Sequence, residues 1–269
     1  MESIKGMIKD KKRIVIKVGT STLTHCTGSL NLRIMDKLTM VLSDIKKRGT
    51  DVVLVTSGSI TAGVWKLGLK ERPKSVKERQ AAASVGQCEL MFTYDKLFSQ
   101  YGQMVSQILL TRAITDNDLY RNNIINTFET LLTYGVIPIV NENDTVAVDE
   151  LVYGDNDTLS AITAKLVNAD MLIILSDIDG FYDKNPQTNE NAKLMSVVEE
   201  ITSEIEKAAG DSQSLVGTGG MATKISAAKI AVNCGIDMVI CNGKQPESLY
   251  DILDGKQVGT LFKGKKVSI

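Results

Sequence analysis

Histidine is nearly missing from this 269-residue chain, in which His25 stands alone. Cysteine is sparse as well: Cys26, Cys88, Cys234 and Cys241, with no C-x-x-C pair. That inventory excludes a Cys/His zinc site and is too thin for a disulfide framework in so long a chain, so reduced thiols in a cytoplasmic protein are expected. Neither sign of charge prevails, with 31 Lys plus Arg against 32 Asp plus Glu and a net charge of −1. A strongly basic nucleic-acid binder is thereby excluded, because phosphate neutralisation dominates such affinity. A local basic site for a small anion is not. No run approaches the roughly 20 apolar residues of a membrane span, and Met1 to Arg13 is charged where a signal peptide would be apolar. No nucleic acid and no membrane are therefore expected as partners. Aromatics make up 5% of the chain, yet apolar residues reach 43%, enough to exclude global disorder and to build a core without staples.

Short apolar runs alternate with amphipathic ones. Ile14 to Val18, Asp51 to Thr56, Met104 to Leu110, Val136 to Val140, Met171 to Leu175 and Ile236 to Cys241 read as strands, with a short one at Gly259 to Phe262. Met35, Leu38, Leu42 and Ile45 recur at helical spacing from Leu32 until Gly49 supplies a stop. Further helices are expected over Val76–Gln100, around Ile124 to Leu132, over Thr158–Asn168, near Ile201 to Ala209, over Met221–Asn233 and near Glu247 to Leu253. Val146 to Tyr153 alternates and closes on Gly154-Asp155-Asn156-Asp157, which suggests a small hairpin. Strand–helix alternation predicts an α/β fold, an open and mainly parallel sheet sandwiched between helices (α/β/α). No linker or repeat divides the chain. Residues 1–269 are expected to form one domain, whose two lobes share a sheet with a seam near Tyr153 to Asn168.

In such sheets ligands bind beyond the carboxyl ends of the strands. The residues there are Lys17-Val18-Gly19-Thr20-Ser21, Thr56-Ser57-Gly58-Ser59, Asn141-Glu142-Asn143-Asp144 and Ser176-Asp177. All four groups are small, polar or charged. Glycine in these positions lets backbone N–H groups face an anion, and Gly217-Thr218-Gly219-Gly220 precedes the Met221 helix in the same manner. Lys224 falls in the first turn of that helix, where the macrodipole disfavours a cation, so a negative ligand at that helix end is expected to answer it. Gly259 to Lys265 has P-loop spacing but lacks the Ser/Thr, and Gly217-x-Gly219-x-x-Ala222 lacks both a preceding strand and the ribose-binding acid; neither motif is supported. Phosphoryl transfer needs cations on the moving group and little covalent chemistry. Lys17 and Lys224 are the natural clamp, and Asp157 can lie between their ammonium groups, cap the helix that begins at Thr158, or do both.

Ile16 to Ser21, Val55 to Gly58, Pro138 to Asp144, Gly154 to Ala161, Gly217 to Lys224 and Val258 to Phe262 together resemble the amino acid kinase family. The N-E-N-D and G-D-N-D segments are similar to its glutamate 5-kinase branch. The resemblance implies ATP-dependent phosphorylation of the L-glutamate side-chain carboxylate to γ-glutamyl phosphate, the first step of proline biosynthesis. It implies Lys17, Asp157 and Lys224 as catalytic residues and Ser57, Asp144 and Asn156 as glutamate-binding residues. Lys17, Ser176, Asp177, Thr218, Gly219, Gly220, Met221, Ala222, Thr223 and Lys224 match its nucleotide-binding positions. Mg²⁺ is expected to ride on the ATP phosphates, with no protein ligand assigned. Proline is expected as feedback inhibitor and a homo-oligomer as the assembly. Many family members continue past the final G-T-L-F segment into a small RNA-binding-type (PUA) module; with the sequence ending at Ile269, that module is expected to be absent. Thr61 stands where alanine is common in the family, and His25 is expected to be a solvated loop residue. Two other readings stay open: a non-catalytic amino-acid sensor of the same fold, and a kinase for another small acid such as N-acetylglutamate or carbamate.

Overall fold

The computed structural model describes residues 11–111, 116–147, 156–186, 188–210 and 220–265. Among them lie strands β1 (Arg13–Val18), β2 (Asp51–Val55), β3 (Val105–Leu110), β4 (Ile137–Glu142), β5 (Met171–Ser176), β6 (Val197–Val198), β7 (Asp237–Asn242) and β8 (Thr260–Phe262). The helices are α1 (Thr20–Leu23), α2 (Leu32–Lys47), α3 (Ser59–Lys66), α4 (Val76–Gln100), α5 (Asp118–Thr133), α6 (Asn156–Leu166), α7 (Ser203–Gly210), α8 (Met221–Asn233) and α9 (Ser248–Leu253).

One eight-stranded sheet runs in the order β3-β4-β2-β1-β5-β7-β8-β6. Every neighbouring pair is parallel except β7 with β8. Strands buried on both faces read as continuous apolar runs, and alternate residues of each run serve opposite layers. Val15, Val53, Val55, Val140, Leu172 and Ile174 join the core beneath α5, α6 and α8. Ile14, Ile16, Leu54, Ile139 and Ile173 join the core beneath α2, α4 and α9. Lys17 shares the parity of Val15, which directs it towards the α6–α8 layer. Pro138 is tolerated inside β4 because the ladder with β2 begins only at Ile139, so its missing N–H costs no bond there.

The chain leaves β1 for β2 on one side and places β5 on the other, so the sheet reverses direction around β1. That reversal opens a crevice at the carboxyl end of the central strands.

Some elements differ from the sequence reading. The Gly/Ser/Thr-rich stretches after β1 and β2 contain the short helices α1 and α3, not loops alone. Gly58 turns the chain into α3 at φ +97°, a left-handed conformation suited to glycine. Gly63 lets α3 meet α4 backbone to backbone, since a Cβ there would stand 1.8 Å from the Ala82 carbonyl oxygen. The two-residue β6 gave no signal. Helix α6 starts at Asn156, so Asp157 lies inside its first turn and is not its cap. Most of the expected hairpin falls in 148–155, outside the described residues; Val146 and Ala147 follow β4 in a turn. Thr260–Phe262 forms β8 directly after Gly259, where P-loop geometry would need a phosphate-cradling loop.

Candidate active site

Three charged-type side chains, Lys17, Asp157 and Lys224, meet at the crevice. Lys17 Nζ stands 2.6 Å from Asp157 Oδ1, and Lys224 Nζ stands 3.1 Å from Asp157 Oδ2. Lys17 is 5% exposed, Lys224 5% and Asp157 0%. Lys17 therefore does not snorkel from an edge: β1 is paired on both sides. Burial alone would raise the Asp157 carboxyl, but the ammonium groups of Lys17 and Lys224 outweigh it and hold the group well below the ordinary carboxylate range. Two lysines meeting over one carboxylate suit an anionic ligand.

Local structure explains how the three converge. Asp157 sits in the first turn of α6, where the helix dipole favours an anion. Lys224 sits in the first turn of α8, whose Gly220 cap supplies no side-chain oxygen. The anion beside Lys224 is Asp157 itself, which also accepts from Thr223 Oγ1 at 3.1 Å. Gly19 begins α1 directly after β1, and a Cβ there would lie 3.7 Å from Lys17 Nζ. Bare backbone thus borders the ammonium group.

The next residue towards β2 and β4 carries a second, uncharged cluster. Asn156 Nδ2 lies 2.5 Å from the Thr56 carbonyl oxygen, 2.9 Å from Ser57 Oγ and 2.8 Å from Asn141 Oδ1. Asp144 accepts from Ser59 Oγ at 2.8 Å. Burial pushes the Asp144 carboxyl up, while the Ser59 hydrogen bond and the charge of Arg79 pull in the other direction and recover part of the shift. Below the cluster, the buried Thr56 hydroxyl and Tyr94 phenol share a 2.9 Å hydrogen bond.

Ser176 and Asp177 end β5, with Ser176 Oγ 3.1 Å from Asp177 Oδ1. Gly220, Met221, Ala222 and Thr223 open α8 beside Lys224; Thr218 and Gly219 lie outside the described residues. Asn141 and Ser59 were visible at strand ends but carried no assigned role. Gln87, which contacts Asn141, gave no signal because it lies on a long helix far from any strand end. His25 is exposed and borders a separate surface cleft of about 710 Å³ with Arg33, Lys37 and Lys244.

A buried lysine pair bridged by one carboxylate, set where a mainly parallel sheet reverses direction, fits a phosphate-handling enzyme. The chain belongs to the amino acid kinase family, whose model matches residues 12–242. Within that family it is similar to glutamate 5-kinases. The enzyme of that name from Clostridium perfringens is 57% identical over 96% of this chain and 98% of its own. The one from Listeria innocua is 57% identical over 96% of this chain and 95% of its own. Among solved structures, a carbamate kinase from Giardia lamblia bound to AMP-PNP aligns with a TM-score of 0.68 at 17% identity, covering 96% of this chain and 100% of that one. The isopentenyl phosphate kinase of T. acidophilum aligns at 0.61 and 20% identity over 93% of this chain and 100% of that one. At those identities the structural likeness speaks for the fold alone.

Proposed function

We propose that this chain transfers the terminal phosphoryl group of ATP to the side-chain carboxylate of L-glutamate, forming γ-glutamyl phosphate for proline biosynthesis. The observation that carries the reading is that consecutive residues, Asn156 and Asp157, serve the uncharged cluster and the lysine pair. An acceptor held by the first is thereby set beside a phosphate held by the second.

The glutamate carboxylate is already ionised at neutral pH, so it attacks the γ-phosphorus without a general base. Asp157, engaged by two ammonium groups, would be a poor one. Lys17 and Lys224 neutralise charge on the transferring group as the bond to ADP breaks. Asp157 fixes the separation of the two lysines. Asp144 takes the substrate ammonium, while Ser57 and Asn156 orient its polar groups. The backbone of Gly19, the Ser176-Asp177 strand end and the start of α8 flank the nucleotide, and Thr218 and Gly219 match the family's nucleotide-binding positions. No cluster of three His, Cys, Asp or Glu suited to a metal occurs among the described residues. Mg²⁺ would ride on the ATP phosphates, as in the family this chain resembles, and would add further charge neutralisation there.

A cytoplasmic homo-oligomer inhibited by proline at the glutamate region completes the reading, as does a single domain whose two lobes share the sheet. No described helix is long and apolar enough to cross a membrane. The test is ADP release with ATP, Mg²⁺ and L-glutamate, with hydroxylamine trapping the acyl phosphate as a hydroxamate. Absent turnover would favour a sensor, and turnover preferring N-acetylglutamate or carbamate would move the substrate assignment.

A further inference from the structure

Gln87 projects from α4 into the uncharged cluster, and its Oε1 accepts a hydrogen bond from Asn141 Nδ2 at 2.8 Å. The backbone dictates this polarity. Asn141 Oδ1 accepts the Glu142 N–H at 2.9 Å and Asn156 Nδ2 at 2.8 Å, so the Asn141 nitrogen must face α4 and needs an acceptor there. Asn141 is 2% exposed, which leaves little solvent to substitute for that acceptor. Gln87 Nε2, by contrast, is enclosed with no hydrogen-bond partner among the described residues. The oxygen of Gln87, and not its amide nitrogen, is therefore the engaged end.

Asn141 passes the polarity on. Its Oδ1 draws the Asn156 nitrogen, which also faces Ser57 Oγ at 2.9 Å. A serine hydroxyl holds one proton. Asn156 Nδ2 has two protons for three neighbouring acceptors, the Thr56 carbonyl at 2.5 Å, Asn141 Oδ1 and Ser57 Oγ, and as an amide nitrogen it cannot accept; Ser57 Oγ therefore turns its own proton away from Asn156, and a carboxylate oxygen is the fitting acceptor.

We infer that Gln87 is a positioning residue for the carboxylate substrate: it locks Asn141, and through it Asn156, in the orientation that leaves the Ser57 proton for glutamate. The inference rests on the glutamate reading of the site. It separates the two ends of one side chain, so near-isosteric variants decide it. Gln87→Met removes the acceptor with little change of volume, and Gln87→Glu keeps the acceptor while removing the orphaned N–H.

Glutamate and ATP KM, kcat and thermal midpoints are measured for both variants. With one hydrogen bond lost, Gln87→Met should raise the glutamate KM about tenfold, leaving ATP KM unchanged and kcat within about threefold. Gln87→Glu should stay within about threefold of the parent on every constant. The inference is overturned if Gln87→Met leaves the glutamate KM unchanged, if ATP KM rises in parallel, or if Gln87→Glu is as impaired as Gln87→Met. Should Gln87→Met not fold, a raised glutamate KM in Gln87→Glu overturns it alone. ATP turnover by the parent without glutamate strikes the functional reading and this inference together. A glutamate-dependent parent with an indifferent Gln87→Met strikes the inference only.

Discussion

The carboxylate of Asp157 stands between two lysines that are 207 residues apart in sequence, touching Lys17 through one oxygen at 2.6 Å and Lys224 through the other at 3.1 Å. Buried ion pairs of this kind offset a large desolvation cost, and removing Asp157 takes the shared carboxylate from two buried lysines. Asp157→Ala should therefore destabilise the protein by about 3–5 kcal/mol and lower the thermal midpoint by roughly 5–15 °C. Calorimetry checks this; a midpoint within a degree of the parent contradicts it.

The same carboxyl makes stability depend on pH. Its folded pKa is depressed, so its contribution is full above the unfolded value of about 4 and is lost as pH falls below it. The stability gap between parent and Asp157→Asn should shrink by about 1 kcal/mol between pH 6 and pH 3. Urea titrations at the two pH values measure it, and a gap that widens towards acid would refute the assignment.

On the proposed reading Lys224 acts on charge that develops as the phosphoryl group moves, so its loss should appear in kcat. Lys224→Ala should reduce kcat on the order of 100-fold or more while the glutamate KM changes by less than about threefold. Initial rates across both substrates separate the two effects. A raised glutamate KM with normal kcat would place Lys224 on the wrong side of the crevice.

Asp144 should act on binding. As the anion for the substrate ammonium, it is expected to lose about tenfold or more in glutamate KM when changed to Asn, with ATP KM unaffected. Because burial holds its pKa above the ordinary carboxylate value, the parent's glutamate affinity should begin to fall at a higher pH than for an exposed aspartate. Asp144→Asn should lack that acid limb. Glutamate KM as a function of pH tests both statements, and a limb that persists in the variant excludes Asp144 as its source.

The fold was readable because parallel strands covered on both faces must be apolar throughout, and Ile14 to Val18 or Met171 to Leu175 have no other plausible use. Helix α2 announced itself by the period of Met35, Leu38, Leu42 and Ile45 and by the stop at Gly49, and α4 lies over the expected Val76–Gln100, while their caps Asn31 and Ser75 carried no signal. Helix α3 did not announce itself, because Ser59, Thr61 and Gly63 look like loop residues until α4 is seen to need a neighbour without side chains. The meeting of Lys17 and Lys224 was suggested by charge at one strand end and in the first turn of one helix, whereas Gln87 was invisible. It occupies a polar position on a long helix, and its partner Asn141 is 54 residues away. Period and propensity report which face is wet, and they carry no information on which distant amide a side chain will meet.

The close contact of α3 with α4 gives a last prediction that joins packing to binding. A Cβ on Gly86 would stand 1.8 Å from the Ser59 carbonyl oxygen and 2.5 Å from the Gly63 nitrogen, so Gly86→Ala must push the helices apart. Overpacking of this sort costs about 1–3 kcal/mol. It also moves Ser59, whose hydroxyl holds Asp144 at 2.8 Å. Gly86→Ala should therefore lower the thermal midpoint by several degrees and raise the glutamate KM, while the lysine pair, on the opposite side of the sheet, keeps ATP KM near the parent value. Gly102→Ala serves as the control. Its φ of +65° is strained for alanine, but nothing lies within 4 Å of the added Cβ, so it should lose stability without any change in glutamate KM. Equal effects of the two variants on glutamate KM would show that α3 does not transmit packing to Asp144.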